Sequence, residues 1–166
     1  MRINAIVEES IVDGPGLRYA VFVQGCPHRC PGCHNPQTHD RAGGYDISAD
    51  GLIESFMRCA SENPLLAGVT VSGGEPFEQA RELTGFLKAV RREGFDVWVY
   101  TGWTIGEILG SADKDELELL ENIDTLVDGR FEESSRTLER PFMGSANQRI
   151  IKNPASYSRQ DFPAGK

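Results

Sequence analysis

Five short apolar runs punctuate the chain: LRYAVFV (17–23), GVTVS (68–72), FDVWVY (95–100), DTLVD (124–128) and QRIIK (148–152). Each is too short for a helix and rich in β-branched or aromatic residues, which predicts buried strands. Between them the period changes to that of a helix. Leu52, Ile53, Phe56, Met57 and Ala60 recur on one face of residues 49–61, with Ser48 as N-cap. Ala80, Leu83, Leu87 and Val90 form a second stripe over 78–92, and Gly94 suits its C-terminal end. Residues 113–122, DKDELELLEN, predict a short acidic helix, and 153–166 have no period and predict a loop or tail. Strands alternating with helices imply a parallel sheet joined by right-handed crossovers, with functional residues beyond the carboxyl ends of the strands. Four unusual loops obey that rule: CPHRCPGCHN follows LRYAVFV, SGGEP follows GVTV, YTGW follows DVWV and DGR follows TLV.

Composition narrows the setting. The 166 residues suffice for one domain, and 39% hydrophobic with 25% charged residues is ordinary for a soluble protein. A net charge of −8 argues against wholesale binding of nucleic acid. No run approaches a membrane span, and MRINAIVEES lacks the features of a signal peptide, so a cytoplasmic location is expected. Without export, the four cysteines point to metal chemistry before disulfides.

Cys26, Cys30 and Cys33 are spaced C-x-x-x-C-x-x-C, while Cys59 lies alone on the first helical stripe as a small core residue. Thiolates bind zinc or iron. A closed zinc site needs four ligands, which His28, His34 or His39 could complete. An iron–sulfur cubane held by three cysteines leaves one iron open for chemistry. Spacing alone permits both.

The other loops are weaker signals. Gly73 and Gly74 allow close approach to the backbone, Glu75 could hold a cationic amine, and Pro76 sets the next helix, yet SGGEP also reads as a plain strand-to-helix turn. YTGWT (100–104) offers Thr101, with Thr104 a helix cap; VDGRF (127–131) offers Asp128 and Arg130 about Gly129, or a simple Asp-Gly turn. GSANQRII (144–151) carries amide and hydroxyl donors, and DGPGLR (13–18) places Asp13 and Arg18 as functional charges beside a tight turn.

Together these residues resemble a known superfamily. C-x-x-x-C-x-x-C with SGGEP is similar to the radical S-adenosylmethionine enzymes, in which three cysteines bind a [4Fe-4S] cluster and S-adenosylmethionine chelates the open iron. DGPGLR…FVQGC…CPGCHNPQT resembles the glycyl-radical-enzyme activases, and VYTGWT, LVDGRF and GSANQRII resemble those that activate anaerobic ribonucleoside-triphosphate reductase. The resemblance spans roughly residues 3 to 152. It implies an α/β fold, an incomplete (β/α) barrel of mostly parallel strands forming a radical SAM core over residues 1–152. It implies one cluster on Cys26, Cys30 and Cys33, with Gly32, Cys33, His34, Gly73, Gly74, Glu75, Thr101, Asp128, Gly129, Arg130 and Asn147 around S-adenosylmethionine. It further implies a one-electron reductant and a large glycyl-radical partner, from which a 5′-deoxyadenosyl radical takes a backbone hydrogen. Many superfamily members carry an aromatic residue before the third cysteine, where this chain has Gly32. Other readings are an activase of formate-lyase-type partners, a deazapurine synthase, a zinc-binding interaction module, or an electron carrier closed by a fourth cysteine.

Overall fold

A computed structural model describes residues 1–162. In chain order the elements are β1 (Arg2–Ser10), β2 (Leu17–Val23), β3 (Tyr45–Asp46), α1 (Ala49–Glu62), β4 (Leu66–Gly73), α2 (Ala80–Arg92), β5 (Asp96–Tyr100), α3 (Ile105–Ser111), α4 (Lys114–Leu120), β6 (Thr125–Asp128) and β7 (Arg149–Lys152). They build one sheet in the order β3-β1-β2-β4-β5-β6-β7. β2, β4, β5 and β6 are parallel and joined through helices, as expected of a partial (β/α) barrel. The edge strands β3 and β7 do not pair, so the sheet stays open.

Two features depart from the sequence reading. On one side β1 pairs antiparallel to β2, and the two-residue β3 pairs antiparallel to β1. At the other side β7, foreseen as part of the parallel series, runs antiparallel to β6. Only a short 3-10 turn, Glu133–Ser135, lies between β6 and β7, and a chain that returns without a crossover helix pairs antiparallel.

Alternation along the strands gives the sheet two different faces. Tyr19, Val21 and Val23 of β2, Val69 and Val71 of β4, Val97 and Val99 of β5, and Leu126 of β6 form one buried face with Leu52 and Phe56 of α1, Leu83 and Leu87 of α2 and Ile105 and Ile108 of α3. The opposite face buries Arg18, Thr70, Trp98 and Thr125. There Phe142 meets the Trp98 ring edge-on at 5.5 Å, and the Lys152 ammonium lies 4.8 Å from the centre of that ring. Cys59 is buried in the first core, its thiol against the Glu8 carbonyl at 3.4 Å. Beyond β7 the chain turns back, and Phe162 packs against the core beside α3; the end of the predicted tail, residues 163–166, lies outside the described residues. Among the described residues no helix is long and apolar enough to cross a membrane.

The helix starts follow the expected caps. The Ser48 hydroxyl accepts from Gly51 N at the start of α1. Thr104 and Glu107 form a reciprocal capping box on α3. Burial alone would raise the Glu107 carboxyl, but the Thr104 amide and hydroxyl outweigh it and hold it below its ordinary range. Thr104→Ala removes a cap worth about 1 kcal/mol. In a domain of this size that should lower the melting temperature by about 2–4 °C in a calorimetric scan.

Candidate functional site

Because β2, β4, β5 and β6 are parallel, the loops after them lie along one edge of the sheet. The cysteine loop leaves β2 and is tied shut at its base. Gly25 N donates to Thr38 O (2.8 Å), Cys26 N to His39 O (3.3 Å), and the buried Gln24 amide to Gln37 O and Asp40 O (3.0 and 2.6 Å). Cys33 N donates to Cys30 O at 3.2 Å, folding the second half into a turn. All four cysteines are free. Burial pushes the Cys26 and Cys30 thiols above their ordinary value.

The glycine turn after β4 locks onto the same loop. Gly74 N donates to Val23 O and Glu75 N to Gly25 O, both at 2.8 Å. A Cβ on Gly74 would lie 2.4 Å from Gly25 O, and Gly73, at φ +94°, would press one against the Phe22 backbone. What comes close to these glycines is therefore the chain's own β2 exit, in keeping with the strand-to-helix turn that the sequence offered beside a ligand contact. The fully buried Glu75 carboxylate accepts from Thr101 Oγ1 (2.8 Å), Phe77 N (3.1 Å), Gly102 N (2.8 Å) and His28 Nε2 (2.9 Å). A carboxylate offers about four acceptor positions, and four donors of the chain itself lie on this one.

A cavity of about 690 Å³ opens at this edge, lined by Cys26, Cys30, Cys33, His34, Gly73, Gly74, Glu75, Thr101 and Gly129 among others. It falls in the range of small-molecule sites, about 300–1,000 Å³. Asp128, Arg130 and Asn147 line a separate cleft of about 1090 Å³, which Gly129 also borders. The Asp128 carboxylate is committed to structure: it accepts from Ile105 N at 2.8 Å at the start of α3 and pairs with the Arg149 guanidinium. Asn147 donates to Arg130 O at 2.8 Å, and the Arg130 guanidinium lies 5.5 Å from the Trp103 ring centre. Gly32 adopts φ +69°, and a Cβ there would meet the Glu133 carboxylate at 2.9 Å. Where an aromatic residue stands in many relatives of the motif, this chain needs a glycine.

Sequence reasoning missed Ser72, Tyr100, Phe131, Phe142, Met143 and Gln148, which also line the cavity. Only the alternation of β5 could have exposed Tyr100, whose hydroxyl is pushed well above its ordinary value by burial and by nearby Asp13. The phenylalanines come from loops without period. Phe131 packs on the His34 ring at 4.8 Å.

The residues present fit an iron–sulfur cluster. Three partly buried cysteines share one cavity. Among the described residues no three His, Cys, Asp or Glu side chains converge on a single ion; cysteines around a cubane address different irons and need not converge.

Comparison with known proteins agrees with this geometry. Residues 12–151 match a family described as a 4Fe-4S single cluster domain. The chain is 33% identical over 146 residues to the anaerobic ribonucleoside-triphosphate reductase-activating protein of Pasteurella multocida, covering 86% of this chain and 91% of that one. It is 30% identical over 166 residues to the protein of the same name from Enterobacteria phage T4, covering 97% and 100%. Among solved structures it is similar to the crystal structure of QueE from Escherichia coli, with a TM-score of 0.47 and 20% identity over 62% of this chain and 52% of that one. With both kinds of match running through the cysteine loop and the sheet edge that carries it, the chain belongs to the 4Fe-4S single cluster domain family and to the anaerobic ribonucleoside-triphosphate reductase-activating proteins.

Proposed function

We propose that this protein is a radical S-adenosylmethionine activating enzyme that takes a hydrogen atom from a backbone glycine of the large anaerobic ribonucleoside-triphosphate reductase subunit. The observation that carries the reading is the convergence of Cys26, Cys30 and Cys33 with Gly73, Gly74 and Thr101 on one cavity. When bound and reduced, the cluster supplies the electron that splits S-adenosylmethionine into methionine and the 5′-deoxyadenosyl radical.

The chain's own residues do the rest. Cys26, Cys30 and Cys33 hold three irons. The backbone of Gly32, Cys33, His34, Gly73 and Gly74 shapes the wall against S-adenosylmethionine. Thr101 and Gly129 close the side beyond β5 and β6. Glu75 serves this site by bracing it. Asp128, Arg130 and Asn147 act from the adjoining cleft, fixing the loops after β6 and before β7. Phe131, Phe142 and Met143 help keep water from the reacting carbon. No side-chain acid–base pair is needed, since what is transferred is a hydrogen atom. The catalytic domain is read as residues 1–152, with 153–166 a C-terminal tail. The protein works in the cytoplasm with a one-electron reductant and contacts neither nucleic acid nor membrane.

Anaerobic loading with iron and sulfide, followed by reductant, S-adenosylmethionine and the reductase, is expected to give a glycyl-radical signal by electron paramagnetic resonance together with 5′-deoxyadenosine. Absence of both sinks the reading. Zinc at one per chain, with no iron or sulfide after anaerobic purification, would assign a binding module instead.

A further inference from the structure

We propose that His28 is a positioning residue for the cluster: its imidazole, gripped by Glu75, fixes the backbone between Cys26 and Cys30 and with it the placing of those two thiols. The inference rests on the reading of Cys26, Cys30 and Cys33 as cluster ligands.

His28 sits between exposed neighbours, Pro27 and Arg29, yet its own side chain is only 4% exposed. Its Nε2 lies 2.9 Å from Glu75 Oε2, which also accepts from Gly102 N. A carboxylate oxygen accepts, so in this pair the imidazole nitrogen is the donor. The ring meets Trp103 edge-on at 4.5 Å. On its remaining side stands Gly102, where a Cβ would lie 2.3 Å from His28 Cδ2. The imidazole is thus seated in a slot made by two loops: the turn after β4, which supplies Glu75, and the β5–α3 loop, which supplies Gly102 and Trp103.

That slot explains the backbone that follows. Arg29 adopts φ +47°, a left-handed conformation that costs a side-chain-bearing residue roughly 1–2 kcal/mol and persists only where its surroundings impose it. With His28 seated on one side and the Cys33 N to Cys30 O turn on the other, the left-handed residue is held from both ends. The stretch so held carries Cys26 at one end and Cys30 at the other, so its conformation sets where the two thiols stand. The potential of such a cluster depends on its exposure and on the polar groups held around it. His28 borders the same cavity as the cysteines, and its part is to hold the backbone that carries Cys26 and Cys30.

The test compares the full-length wild type, His28→Ala, His28→Gln and Gly102→Ala after anaerobic reconstitution. His28→Ala is expected to shift the cluster midpoint potential, and to bleach in air about tenfold faster, the lower end of what loss of a ligand-supporting partner costs. His28→Gln, whose amide can reach Glu75, should restore both. Gly102→Ala, which leaves imidazole and carboxylate intact but fills the slot, should shift both in the direction of His28→Ala. It keeps the test open even where His28→Ala folds poorly. A His28→Ala protein with the wild-type potential and bleaching rate overturns the inference alone, as does His28→Gln behaving like His28→Ala. A wild type that takes up no cluster overturns the reading of the site, and this inference with it.

Discussion

Replacing Cys33 by serine is expected to abolish both the visible absorbance of the reconstituted protein and its cleavage of S-adenosylmethionine, while the far-ultraviolet circular dichroism stays that of the wild type. Loss of a group that merely supports a metal ligand costs about 10–100-fold, and loss of the ligand itself exceeds that range. The fold should survive because Cys33 contributes little to it. It is partly exposed, and its one backbone bond to Cys30 is made by the main chain. The core lies between the sheet and helices α1 to α4, away from the cysteine loop. Cys59→Ser provides the contrast. Its thiol is buried against the Glu8 carbonyl, so serine there should leave iron content unchanged and lower stability modestly. A Cys33→Ser protein that still held iron and sulfide in wild-type amounts would break the assignment of the three cysteines.

The order in which the molecule was legible follows the physics of each signal. Apolar runs such as LRYAVFV and DVWV predicted strands because those strands are buried on both faces, and a strand with no polar face cannot be mistaken for a surface segment. Once they were parallel, the placement of the cysteine, SGGEP, YTGW and DGR loops along one edge followed from topology alone. β1 escaped because it alternates weakly: in RINAIVEES only Ile3 and Ser10 are buried, so its neighbours follow no clean period. The direction of β7 escaped because it depends on what the preceding loop lacks, a crossover helix, and not on the strand itself. At the site, cysteine spacing was legible because ligand geometry constrains it. The roles of Glu75 and Asp128 were not, because each carboxylate is occupied by donors distant in sequence: His28, Thr101 and Gly102 for the first, Arg149 and Ile105 for the second. An acidic residue beside a glycine turn looks the same in sequence whether it holds a ligand or the chain.

Arg18→Ala is expected to destabilise the protein by about 3 kcal/mol, the lower end of the cost of breaking a buried charged network. That corresponds to a fall of about 6–12 °C in melting temperature for a domain of this size. Beside Asp13 in a glycine–proline turn, Arg18 could be read from sequence as a functional charge. In the fold it is 1% exposed, on the face of the sheet opposite the main core. Its guanidinium donates to Thr70 Oγ1 (3.1 Å), Asp96 Oδ2 (2.7 Å) and Val69 O (2.5 Å), while the Thr70 hydroxyl donates onward to Asp13 O at 2.8 Å. Burial lowers the guanidinium below its ordinary value and Asp96 works against that. The net effect of the fork is to stitch the β1–β2 turn, β4 and β5 together at the amino ends of the parallel strands. Alanine would leave a void and take a donor from the Thr70 hydroxyl and the Val69 carbonyl, although the half-exposed Asp96 carboxylate can turn to water, which keeps the cost near the bottom of the range. Methionine fills the void without restoring the bonds and should recover part of the loss. Arg18 pairs in register with Gly68, and the cysteine loop leaves β2 at its other end, beyond Val23. Cluster content per folded chain should therefore be unchanged in Arg18→Ala. A variant that melted like the wild type but failed to hold the cluster would return Arg18 to the functional charges and overturn its assignment to the sheet.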